Sequence, residues 1–150
     1  MNNGINTIWD MKSYTDLEQS KKLSEFLSPE SADMVWTYDF TINDINGINV
    51  KTNTFKPEEN DILAWSLAAL LNIIPKEIST GDEDHNKYQI NVRVRYDKDK
   101  EINLHQIAYG NNKGSSGSWH DMVSTSEQKY LIDCCVEMVF WLRENNLLAI

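Results

Sequence analysis

Basic charge and cysteine are both in short supply in this chain, and long apolar runs are missing. Its 14 lysines and arginines stand against 23 aspartates and glutamates, a formal net charge of −9 over 150 residues. Such a surface repels phosphate backbones, so direct nucleic-acid binding of the ordinary, sequence-independent kind is not expected. The same charge favours solubility and basic partners. Cysteine occurs only as the adjacent pair Cys134 and Cys135, inside a helical pattern. Successive helix positions diverge by about 100°, so this pair cannot clamp one metal ion. A vicinal disulfide would be strained, and a reducing compartment disfavours it further. Both therefore read as small apolar residues, at least one of them in the core. No apolar run approaches the ~20 residues of a membrane-spanning helix. The start, Met1-Asn-Asn-Gly-Ile-Asn, lacks the basic, apolar and small-residue succession of a secretory signal. The expectation is a cytoplasmic protein with no membrane partner.

Signatures of catalysis are missing as well. The stretch Gly110-Asn-Asn-Lys-Gly-Ser-Ser-Gly-Ser118 has phosphate-loop ingredients in the wrong order, because its lysine does not follow the second glycine at a helix start. It reads as a mobile loop. His85, His105 and His120 are scattered, without the His-x-x-x-His or Cys-x-x-Cys spacing of a metal site. Trp119-His120-Asp121 sets an imidazole beside a carboxylate. Adjacent residues seldom form a base–orienter pair, however, and no Gly-x-Ser-x-Gly turn supplies a nucleophile. The clusters Glu58-Glu59-Asp61 and Asp82-Glu83-Asp84 do not follow the Asp-x-Asp-x-Asp-Gly calcium-loop pattern and read as solvated charge. No catalytic, cofactor-binding or metal-ligating residue is assigned, no cofactor is expected, and the chain is not expected to be an enzyme.

What the chain does carry is alternation. In Tyr88-Gln-Ile-Asn-Val-Arg-Val-Arg-Tyr96 apolar and polar residues alternate without a break. Tyr88, Ile90, Val92, Val94 and Tyr96 then share one strand face and Gln89, Asn91, Arg93 and Arg95 the other. The pattern predicts a half-buried antiparallel strand with its apolar face on the core. Trp36, Tyr38, Phe40 and Ile42 alternate in the same way. Asn46-Gly47 marks the following turn, and a three-residue loop Ile45-Asn46-Gly47 sets Ile42 opposite Val50, apolar against apolar. A further strand runs from Glu101 to Tyr109. There Ile102 and Leu104 hold one phase and Ile107 and Tyr109 the other, which predicts a bulge near His105.

Helices occupy the remaining apolar stretches. Thr15-Asp-Leu-Glu18 and Ser124-Thr-Ser-Glu127 read as capping boxes opening the first and last helices. The first runs to about Leu27, with Leu23, Phe26 and Leu27 along its apolar edge. Ser66 caps a short helix that Pro75 closes. The last helix places Leu131, Cys134, Cys135, Met138 and Leu142 on one stripe and ends at Asn145-Asn146. The order is α-β-β-α-β-β-α. One α+β domain over residues 1–150, with antiparallel strands packed against helices, is the expected architecture.

Four segments, Leu17-Glu-Gln-Ser-Lys-Lys-Leu23, Ser31-Ala-Asp-Met34, Ala64-Trp-Ser-Leu-Ala-Ala-Leu-Leu71 and Glu137-Met-Val-Phe-Trp-Leu142, carry a resemblance. The chain resembles a group of small proteins encoded in Bacteroides-type genomes, often in phages or integrated mobile elements. The stretches from Ile78 to Lys87 and from Gly110 to Ser118 are longer here than is usual in that group. The resemblance implies a bacterial or phage setting and no particular chemistry. The leading expectation is thus a non-enzymatic protein-interaction module, an accessory protein of a phage or mobile element, with a protein partner and an open oligomeric state. Gln89, Asn91, Arg93 and Arg95 are its expected contact residues. Two alternatives stand beside it. One is an acidic inhibitor of a basic partner, of the anti-defence or immunity kind, which requires carboxylates gathered in one patch. The other is a binder of a small anionic ligand gripped by Arg93 and Arg95.

Overall fold

The computed structural model describes residues 11–52, 56, 58–81 and 86–148. Among them it has three α-helices and two antiparallel sheets, one of three strands and one of four, an α+β fold. By contact density the chain divides into two compact units, Met1–Ala69 and Leu70–Ile150.

In the first unit, helix α1 (Leu17–Ser24) precedes strands β1 (Met34–Asp39), β2 (Asp44–Val50) and β3 (Ile62–Ala64), in sheet order β2-β1-β3. Helix α1 packs on β3 and buries Leu23, with Leu27 just beyond its end also buried. Its cap is one residue later than expected. Asp16 accepts from the Gln19 amide at 2.8 Å and the Gln19 side chain accepts from the Asp16 amide, the two halves of a capping box. Thr15 is instead fully buried, sharing a 2.7 Å hydrogen bond with Ser20 and accepting from the Trp65 amide at 3.1 Å. A buried hydroxyl with one partner in α1 and the other just past the end of β3 ties the two together.

The β1–β2 hairpin also corrects the expectation. Tyr38 pairs with Ile45 and Asp39 with Asp44, so the turn is Phe40–Asn43, not Ile45–Gly47. Asn46 and Gly47 lie inside β2, where the register shifts opposite Thr37, and the φ of +85° at Gly47 accommodates the extra residue. The reason for the earlier turn is Asp39, whose carboxylate accepts from the Thr41 amide at 2.8 Å and closes the chain locally. Phe40 and Ile42 consequently sit in the turn, 61% and 58% exposed, rather than on a core face.

Helix α2 (Leu67–Ile73) spans the boundary between the units. Ser66 caps it as expected, its hydroxyl accepting from the Ala69 amide at 3.1 Å.

The second unit holds β4 (Glu77–Ser79), β5 (Lys87–Asp97), β6 (Ile102–Asn111), β7 (His120–Ser124) and helix α3 (Leu131–Glu144), with sheet order β4-β5-β6-β7. Strands β3 and β4 have three residues each, too few to show alternation, and the five of β7 do not alternate, so none of the three is expected from the sequence. Pairing of β5 with β6 runs from Gln89 opposite Gly110 to Asp97 opposite Ile102 with no register shift, so the expected bulge near His105 is absent from it. The shift lies on the β7 side, between Tyr109 and Gly110. The phase change in β6 has another cause: β6 is buried on both faces, with Leu104, Ile107, Ala108 and Tyr109 all in the core. Such strands lose simple alternation.

Helix α3 packs chiefly on β6 and buries Cys134, Cys135, Met138 and Leu142 of the expected stripe, together with Ile132, Val136 and Val139, whereas Leu131 is only half-buried; both thiols are free. Its start differs, however. The helix begins at Leu131, after Tyr130, without a side-chain cap. Ser124 instead ends β7, and Thr125 is buried with its hydroxyl accepting from the Ile107 amide at 3.0 Å.

Candidate functional site

Strand β5 departs furthest from expectation, and the departure defines the site. Val92, Val94 and Tyr96 were expected in the core, yet they are 46%, 63% and 56% exposed. Tyr88 and Ile90 are half-buried, and so are Asn91 and Arg93 on the opposite face. The cause is the sheet order. The core is centred on β6, while β5 has only the short β4 beyond it, pairing Glu77–Ser79 with Lys87–Gln89. The Ile90 amide donates to Lys76 at 3.0 Å, and past it no strand among the described residues covers β5.

Backbone direction along this open edge follows from neighbouring bonds. The amides of His105 and Ile107 donate toward β7 and its extension, to Gln128 at 2.6 Å and Thr125 at 3.0 Å. By alternation Leu104, Gln106 and Ala108 turn their amides to β5, where Arg95, Arg93 and Asn91 oppose them. Val92, Val94 and Tyr96 therefore present both their apolar side chains and their backbone amides and carbonyls to the outside. Exposed edges of this kind are templates for a further strand.

The other face carries the expected contact residues, and its two arginines are already engaged. Arg93 reaches diagonally across β6, past the small side chain of Ala108, and grips Asp121 with contacts of 2.7 and 3.4 Å. Trp119 donates its indole N–H to the same carboxylate at 2.6 Å. Arg95 makes a second bidentate pair with Glu127, at 2.9 and 3.1 Å. Gln89 is exposed and lies opposite Gly110. Gly110 itself leaves space for the Trp119 ring: a Cβ there would lie 2.8 Å from the ring and closer still to the His120 carbonyl. Burial alone would raise the Asp121 carboxyl, but the hydrogen bonds from Arg93 and Trp119 and the guanidinium charge outweigh it and hold the group below the usual carboxylate value. The Arg95 hydrogen bond lowers Glu127 in the same direction.

Trp119, Asp121 and Glu127 are the members of this site that local sequence patterns do not reveal. Asp121 read as a neighbour of His120 and Glu127 as a helix cap, whereas each meets its arginine from far along the chain. Between the two arginines lies a shallow depression of ≈ 280 Å³ lined also by Leu104, Gln106 and Glu127. In the first unit a second depression, ≈ 500 Å³, is lined by Lys21, Ser24, Pro29, Asp61, Ile62 and Leu63. Asp61 there accepts from the amides of Tyr38 and Glu58, at 2.9 and 3.0 Å, which is a structural role. His105 bonds the Lys129 carbonyl. His85 and the cluster Asp82-Glu83-Asp84 lie outside the described residues. Among the described residues no group of three metal-ligating side chains converges, and no helix is long and apolar enough to cross a membrane. Comparison with protein-family models, curated proteins and solved structures finds no match to this chain.

Proposed function

We propose that this protein is a non-enzymatic interaction module whose contact surface is the outer strand β5. One observation carries the reading: Val92, Val94 and Tyr96 are exposed beside a strand edge whose backbone groups have no partner strand among the described residues. Such an edge offers main-chain hydrogen bonds for affinity and side-chain positions for selectivity. The accessory role in a phage or mobile element belongs to the same proposal and draws its support from the resemblance of the four segments above. Affinity capture from bacterial lysate tests it, comparing the natural chain with Val94→Lys. A protein held by the first and lost by the second is the expected result. Identical captured sets together with a chain that stays monomeric at every concentration would contradict the reading.

A second reading, binding of a small anion, has the depression between Arg93 and Arg95 in its favour. Against it stand Asp121 and Glu127, which already occupy both guanidinium groups. It requires thermal stabilisation by inorganic phosphate that disappears in Arg93→Ala; an unchanged melting temperature with phosphate removes it.

A further inference from the structure

We infer that the open edge of β5 pairs antiparallel with the same edge of a second copy of this chain, about a two-fold axis at Val94. The inference rests on the reading of β5 as the contact surface and names the occupant. The available edge is bounded at both ends. β4 covers it up to Ile90, and after Asp97 the chain turns back into β6. Val94 is the midpoint of the stretch between, flanked on each side by an arginine and then by Val92 or Tyr96. Pairing centred there sets Val94 against Val94 and Val92 against Tyr96. Every outward-facing residue then meets an outward-facing residue, for about six main-chain hydrogen bonds. Neighbouring registers fit less well. Centred on Arg93, Tyr96 would need Ile90, which is already bonded to Lys76; centred on Arg95, Val92 would need Lys98 in the turn.

The side chains agree with this register. Val92 against Tyr96 is a β-branched–aromatic cross-strand pair, a stabilising combination. Arg93 would face Arg95 of the second copy. Each arrives with its own carboxylate, Asp121 and Glu127, so charges alternate instead of repelling. A basic extended peptide would bring its cations to these guanidinium groups with no carboxylate of its own, which favours a second copy as the occupant. The net charge of −9 opposes association at long range, so added salt strengthens it.

Three variants of the full chain, each adding one cysteine to the two buried native ones, test the register under mild oxidation. Val94→Cys is expected to cross-link to itself, because the two positions face each other within disulfide reach. Val92→Cys and Tyr96→Cys are each expected to stay uncross-linked alone and to form a heterodimer when mixed. Sedimentation velocity of the natural chain in 0.3 M salt should show a concentration-dependent dimer that Val94→Lys abolishes. Equal self-cross-linking of Val92→Cys and Val94→Cys would overturn the register. A natural chain that stays monomeric at every concentration would overturn the second copy as occupant. If Val94→Lys still loses a captured protein in that case, the broader reading of β5 as a contact surface survives.

Discussion

Replacing Asp121 with alanine should destabilise the second unit more than replacing Glu127, although both carboxylates sit on an arginine in the same two-pronged way. The difference comes from environment. Arg93 and Asp121 are 35% and 33% exposed, against 58% and 40% for Arg95 and Glu127. Hydrogen bonds to charged groups contribute ~1.5–3 kcal/mol when shielded and ~0.2–1 kcal/mol when solvated. One-third exposure places the Arg93–Asp121 coupling at about 1–2 kcal/mol, with the Arg95–Glu127 coupling smaller. Asp121→Ala also removes the acceptor of the Trp119 indole, while the Nε of Arg93 is already buried with no hydrogen-bond partner. Urea denaturation of Asp121→Ala, Arg93→Ala and the double variant, beside the matching set for Arg95 and Glu127, measures both couplings. The Asp121 carboxyl is depressed in the folded state, so its contribution is complete above a pH of ~4 and is lost as pH falls through its lower folded value. The coupling should hold constant from pH 5 to 8 and fade toward pH 3. A larger coupling for Arg95–Glu127, or one for Arg93–Asp121 that grows on acidification, would refute the reasoning.

Three further outcomes follow from the packing. Thr15→Val should lose ~2 kcal/mol in denaturant titration, because it strands the buried Trp65 amide and leaves the Ser20 hydroxyl only the long bond to the Thr15 carbonyl, while Thr15→Ser should lose less than ~1 kcal/mol and Asp16→Ala ~1 kcal/mol. If Thr15→Val is as mild as Thr15→Ser, the buried hydroxyl has no structural role. Gly110→Ala should destabilise by ~1–3 kcal/mol and shift tryptophan fluorescence, since its Cβ would displace the Trp119 ring; an unchanged melt and spectrum would contradict the close approach. Cys134 and Cys135 should resist a thiol reagent at pH 8 in the native state and react fully in urea. Burial removes access to both and pushes Cys135 up to about 12.

The parts of this fold that were legible in sequence are those decided locally. Alternation located the strands around Trp36 and Val92, the stripe from Cys134 to Leu142 located the last helix, and Ser66 capped where its type and position indicated. The failures share a different cause. Thr15-Asp-Leu-Glu18 and Ser124-Thr-Ser-Glu127 have the composition of caps. Tertiary partners nevertheless claimed Thr15, Thr125 and Glu127, and the cap moved to Asp16 or was lost. Asn46-Gly47 has turn chemistry, but Asp39 closed the chain earlier and left the glycine to a bulge. Alternation in β5 separated two faces correctly and could not say which neighbours would cover them. That depends on sheet order, which placed β5 outside β6 with only β4 beyond it. Likewise Arg93 and Arg95 were visible as a pair on one face, whereas Asp121 and Glu127 reach them through pairings with no local signature.

Amide hydrogen exchange along β5, followed as a function of protein concentration, tests the open edge most directly. Arg93 and Arg95 turn their amides to β6 and should be protected at every concentration. Val92, Val94 and Tyr96 should exchange fast in dilute solution and gain protection together as concentration rises. Protection of all five at the lowest concentration, or none gained by the outward three at the highest, would contradict the account.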